Sequence, residues 1–167
     1  MLQPSALPYS DAKSSGAPDF YFAINATFRF LRRRFGEKGL QDYWTDLGIR
    51  YMAPVWRRWK EGGLDAIAAY WDQFFAAEPG AEVKVSQVEN QVIVDVYVCP
   101  AIQHLRAGAR AIDPGFCQHC YFVSEAAARQ AGFSVLVQGG NGSCRQSFFL
   151  EHGQNTPQRL EDISGAS

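Results

Sequence analysis

The stretch Glu82 to Pro100, EVKVSQVENQVIVDVYVCP, decides the fold. Two β-rich runs, Val83 to Val88 and Gln91 to Cys99, are separated by the short polar step Glu89-Asn90, which predicts an antiparallel hairpin. In the second run Val92, Val94, Val96 and Val98 share one face, and Ile93, Asp95, Tyr97 and Cys99 the other. Asp95 and Cys99 are therefore expected to point the same way. Pro100 then suits the first turn of a new helix, because proline has no N–H to leave unpaired there.

Upstream of the hairpin the periodicity is helical. Tyr21, Ile24, Phe28, Leu31 and Phe35 recur at spacings of three and four, predicting a first helix from Phe20 to about Gly36. Leu47, Tyr51, Val55 and Trp59 mark a second from about Leu40 to Lys60, kinked at Pro54 and stopped by Gly62-Gly63. Ile67, Trp71, Phe74 and Phe75 line a third, Leu64 to about Ala77, which ends before the turn signal Pro79-Gly80.

Downstream, one helix is expected from Pro100 to about Arg110 and another from Pro114 to Ala131, with Gly132 as its cap. Two strands follow, Phe133 to Gln138 and Ser143 to Glu151, around the turn Gly139-Gly140-Asn141-Gly142. The order is three helices, then β-β-α-α-β-β. Helices and strands arrive in runs with short connections, which predicts an α+β fold with an antiparallel sheet packed by helices. Residues 20–152 form one domain in this reading, residues 1–19 a disordered leader, and residues 153–167 a flexible tail.

The 167 residues, 47% of them hydrophobic, suffice for one well-buried core. No apolar run approaches the roughly 20 residues that span a bilayer. The first residues carry neither a basic start nor an apolar stretch, so a cytoplasmic protein with four reduced cysteines is expected. Residues 1–60 hold 10 Lys+Arg against 5 Asp+Glu, and the basic cluster Arg29, Arg32, Arg33 and Arg34 lies there. Without a nucleic-acid motif around it, the cluster reads as a solvated helix face and no nucleic-acid partner is expected.

The chemistry-bearing residues are Cys99 at a strand end, Cys117 and Cys120 at C-x2-C spacing near a helix start, and Cys144 at the start of the last strand. Such thiols can pack as small hydrophobes, can ligate zinc, or can act as nucleophiles. A helix N-terminus favours thiolate, and Cys117, with His119 and Cys120 beside it, fits that role best. His119, and next His104, are candidate bases or ligands. Asp95 interrupts a valine-rich strand: facing the interior it needs a partner, facing water it is an ordinary alternating residue.

The succession Cys99-Pro100, Cys117, Cys120, a helix ending before Gly132, Gly139-Gly140-Asn141 and Cys144 resembles the L-2-amino-thiazoline-4-carboxylic acid hydrolase family over about residues 82–150. The resemblance implies hydrolysis of a small cyclic amidine or related C–N heterocycle at a cysteine-centred site. It implies Cys117 or Cys99 as the attacking thiolate, His119 as proton shuttle, and Asp95 or Glu125 as the carboxylate that orients base or substrate. Arg145 is then expected to hold a substrate carboxylate, beside Asn141 and Glu125. Two positions depart from the family pattern: Val123 and Asn141 stand where acidic residues are expected.

A second similarity, to helix-then-sheet ligand-binding domains related to 4-vinyl reductases, keeps open a non-catalytic binding or sensor domain. In that alternative Cys99, Cys117, Cys120 and Cys144 form a zinc site. The expected cofactor is thus none or zinc, and the expected partner is a small molecule rather than a nucleic acid or a membrane, with self-association to a homo-oligomer left open.

Overall fold

A computed structural model describes residues 18–78, 80–150 and 157–166. Most of the expected leader therefore lies outside the described residues. Helix α1, Pro18–Asp46, runs past the predicted stop, but its backbone breaks at Gly36 (φ 73°, ψ −176°), the residue at which the first helix was expected to end. A π-helical turn, Leu47–Tyr51, leads to α2, Ala53–Ala76, which breaks in turn at Gly63 (φ 64°, ψ −149°). Pro54 does not kink a continuous helix. It sits in the first turn of α2, where its missing N–H leaves no carbonyl unpaired.

The hairpin forms as expected, from β1, Glu82–Val88, and β2, Gln91–Val98. Helices α3, Pro100–Ala107, and α4, Gln118–Ala131, then bring the chain to β3, Phe133–Gly140, and β4, Ser143–Leu150. Gly132 ends α4 in the left-handed conformation, φ 87°. The sheet order is β1-β2-β4-β3, antiparallel throughout, with a fifth strand, β5, Ile163–Ser164, beyond β3. The fold is α+β, with helices packed on one face of the sheet.

Two local departures shape the site. Gly139 and Gly140, expected in the turn, extend β3 and pair with Cys144 and Ser143, so the turn narrows to Asn141-Gly142. Both turn residues have positive φ, 55° and 110°, the two-residue hairpin geometry that matches strand twist. The second departure is a fifth strand. Residues 151–156, of which 153–156 belong to the expected flexible tail, lie outside the described residues. Residues 157–166 return to the sheet, where β5, Ile163–Ser164, pairs in parallel with Gly139 and Gly140.

A Cβ on Gly140 would lie 2.3 Å from the Ser164 carbonyl oxygen, so glycine lets β5 approach. Ile163 is only 4% exposed and belongs to the core. Ile163→Ala is therefore expected to cost about 2–4 kcal/mol in urea unfolding, whereas a truly frayed tail would tolerate it without measurable loss.

Apolar packing falls into two clusters. Beneath the sheet, Val92, Val94, Val96, Val135, Val137 and Phe148 meet Trp59, Ile67 and Trp71 of α2. Beside it, Phe28, Leu40 and Trp44 of α1 meet Ile102 and Leu105 of α3 and Phe116 of the following loop. Cys99 and Cys117 pack against both clusters, which places them at the seam. Among the described residues no helix is long and apolar enough to cross a membrane.

Candidate functional site

Four cysteines from four chain positions line one small cavity at this seam. Cys99 sits at the N-cap of α3, Cys117 at the N-cap of α4, Cys120 in the first turn of α4, and Cys144 on β4 opposite Val96. His119, Phe116, Ile102, Val137, Ile163, the strand-end residues Gly139, Gly140 and Ser143, and Gly142 of the turn complete the wall. The volume is about 30 Å³, room for one or two water molecules. All four cysteines are free thiols.

Each sulfur has local backbone or side-chain donors. The Asn141 N–H points at Cys117 Sγ at 3.3 Å, and Gly142 adds a second backbone donor. Cys99 receives the N–H groups of Ala101 and Ile102, free because they open α3, and Cys144 receives the Gln146 side chain. These donors favour thiolate, but burial outweighs them. Burial, reinforced by the neighbouring Cys120, pushes the Cys99 and Cys117 thiols up to about 11. Burial takes Cys120 up to about 12 and raises Cys144 further still, with added repulsion from the other three sulfurs.

His119 stands at the same wall. Its Nδ1–H donates a hydrogen bond to the Phe116 carbonyl, which leaves Nε2 unprotonated with its lone pair available to Cys120. Nε2 lies 3.7 Å from Cys120 Sγ and Nδ1 3.9 Å. Burial holds the imidazole below its ordinary value, so the ring is neutral. Phe28, Phe116 and Trp44 pack around it, with the Phe28 ring centre 5.2 Å away. The sequence reading paired His119 with Cys117 or Cys99; its nearest thiol is Cys120.

The structure separates the predicted carboxylates and arginine from these thiols. Asp95 and Arg145 face each other across β2 and β4 and form a two-pronged ion pair, 2.6 and 3.1 Å, on the sheet face away from the helices. Cys99 has left the strand to cap α3 and turns toward the opposite side, so the expected shared face with Asp95 does not form. Glu125 is buried behind α4, where its oxygens accept Arg129 Nε–H at 2.7 Å and the Val135 backbone N–H at 2.5 Å. It ties helix to sheet and does not line the cavity. Asn141 does stand at the rim, its side chain held by Arg106. His104 lies outside the cavity, stacked on Tyr21 with ring centres 5.7 Å apart.

Among the described residues no group of three or more His, Cys, Asp or Glu side chains is arranged to hold a metal ion. Sequence reasoning also missed Gln146, a buried amide next to Cys144, and Ile163 in the wall; alternation along β4 could have flagged the first.

The raised thiols couple stability to pH. A thiol harder to ionise in the folded chain stabilises fully below its unfolded value, near 9, and ceases to do so as pH climbs through its folded value. Unfolding free energy is therefore expected to fall between about pH 9 and about 11, the window set by Cys99 and Cys117. Urea titrations across that range check it, and Cys99→Ala with Cys117→Ala should flatten the slope.

No protein-family model, curated protein or solved structure matches this chain.

Proposed function

We propose that the chain hydrolyses a small cyclic amidine or related C–N heterocycle, with the pocket thiols as its reacting groups. The observation that carries this reading is a convergence. The segments behind the resemblance to aminothiazoline carboxylate hydrolases, Cys99-Pro100, Cys117 to Cys120 and Gly139 to Cys144, are distant in sequence yet wall a single cavity.

In this reading Cys117 attacks, because two backbone N–H groups of the hairpin turn point at its sulfur and it opens α4. His119 Nε2, left unprotonated by the Nδ1 contact with Phe116, takes up the thiol proton and returns it to the ring heteroatom as the bond from the attacked carbon to that atom breaks, and water then releases the carbon from Cys117 and restores the thiol. An amidine is cationic near neutral pH. Its charge among the thiols offsets the burial that keeps them protonated, so the nucleophile forms when the substrate is present. The carboxylate orienters expected from sequence have no part here.

A cavity of about 30 Å³ must open to admit a five-membered heterocycle, and the Asn141-Gly142 turn at its rim is the segment whose displacement would do so. The test is direct incubation with 2-aminothiazoline-4-carboxylate, following formation of a product heavier by one water. Sustained turnover supports the proposal; its absence across related cyclic amidines overturns it.

The uniformly raised thiols favour a second reading, a non-catalytic module in which protonated cysteines sense oxidants or surround a bound ligand. No turnover, together with slow native alkylation of all four thiols, is the result expected of that module.

A further inference from the structure

Arg32 belongs to the basic run that the sequence reads as a solvated face, yet it behaves unlike its neighbours. Arg33 and Arg34 are exposed, whereas the Arg32 side chain is 23% exposed and grips Asp113, whose side chain is 1% exposed. Two parallel bonds join them, Nε to Oδ2 and Nη2 to Oδ1, both 2.9 Å. A bidentate pair fixes orientation as well as distance.

Asp113 is held on its other sides as well. Its Oδ1 accepts the Gly115 N–H at 2.9 Å, and its own N–H donates to Asn25 Oδ1 at 2.9 Å. Asn25 Nδ2 donates in turn to the Ala111 carbonyl. A Cβ on Gly115 would fall 2.3 Å from Arg32 Nη2, so the loop passes directly under the guanidinium. From there a few residues reach the pocket. The Asp113 carbonyl accepts the Phe116 N–H, the Gly115 carbonyl accepts the Gln118 N–H, and the Phe116 carbonyl receives both the backbone N–H and Nδ1 of His119.

The geometry points to Arg32 as a positioning residue of the thiol pocket: its ion pair with Asp113 holds the loop from Asp113 to Cys117 so that Cys117 and His119 face the other thiols. The inference deepens the thiol-hydrolase reading and rests on it for its meaning, but its test reads thiol chemistry and needs no substrate.

The full chain is alkylated with iodoacetamide over a pH series, and modification of each cysteine is followed by peptide mass mapping. Wild type is compared with Arg32→Gln, Arg32→Lys and Asp113→Asn, and with Ile67→Ala, a core truncation remote from the loop. Release of the loop returns Cys117 to water. At about pH 8, Cys117 in Arg32→Gln and Asp113→Asn is expected to react at least about tenfold faster, with its pH profile displaced downward. Arg32→Lys keeps the charge but loses the fork and should fall between, while Cys144 on the sheet stays as in wild type.

The inference is overturned if the Cys117 profiles of Arg32→Gln and Asp113→Asn coincide with wild type, or move no further than in Ile67→Ala. It is overturned too if none of the three loop variants folds by circular dichroism, since the pair would then determine the fold rather than the site. A displaced Cys117 profile without any amidine turnover would retain Arg32 as a positioning residue and discard the hydrolase reading.

Discussion

Cys117→Ser is expected to slow ring opening of a cyclic amidine by on the order of 10⁴-fold or more, with little change in melting temperature. Serine fits the space and can accept the Asn141 N–H that now meets Cys117 Sγ at 3.3 Å, so the fold has no reason to change. Its hydroxyl does not ionise in an apolar pocket, and among the described residues no carboxylate lines the cavity to assist it. The contrast lies on the other sheet face. Asp95→Asn and Arg145→Gln break a pair directed away from the thiols and should leave the rate within about twofold of wild type, as expected of an exposed ion pair. Steady-state rates of the three variants decide the matter, and a Cys117→Ser protein that retains half the parental rate refutes the assignment.

Trp59→Ala is expected to cost about 3–5 kcal/mol and to lower the melting temperature by on the order of 10 °C. Trp59 is fully buried and joins α2 to the sheet, its ring centre 5.5 Å from Tyr70, 6.4 Å from Trp71 and 5.7 Å from Phe148. Removing it opens a cavity between rings that cannot collapse together. Its indole N–H has no partner among the described residues, so Trp59→Phe removes an unsatisfied donor and should cost less than about 1.5 kcal/mol. Thermal and urea unfolding of the two variants measure the difference. A loss below 1 kcal/mol for the alanine variant would contradict the packing described.

What was legible in the sequence follows physical rules of short range. Alternation placed Val92, Val94 and Val96 on one face, and the structure buries all three. Gly36, Gly63 and Gly132 marked helix breaks or ends because a positive φ is inexpensive only for glycine. Pro54 misled for the same local reason: a proline reads alike as a kink and as a first-turn residue, and only the π-helical turn before it distinguishes the two.

The site was legible in part. The four cysteine positions were visible, and so was the possibility of a common edge, but the direction of each side chain depends on where β2 ends. By leaving the strand at Val98, the chain turns Cys99 away from Asp95 and toward Cys144. Long-range partners carried no sequence signal at all. Arg32 and Asp113 are 81 residues apart, and Ile163 sits in a polar stretch without strand periodicity. Glu125 looked like a spare acid, yet its oxygens are spent on Arg129 and the Val135 N–H.

Acid quenching during turnover of 2-aminothiazoline-4-carboxylate, followed by peptide mapping of the whole chain, tests directly whether a pocket thiol carries the reaction. A substrate-derived adduct is expected on a pocket thiol, with Cys117 as its main site, and is expected to be lost in Cys117→Ser. Ring opening that proceeds at the same rate with all four thiols unmodified, or with the adduct on a residue outside the pocket, would contradict it.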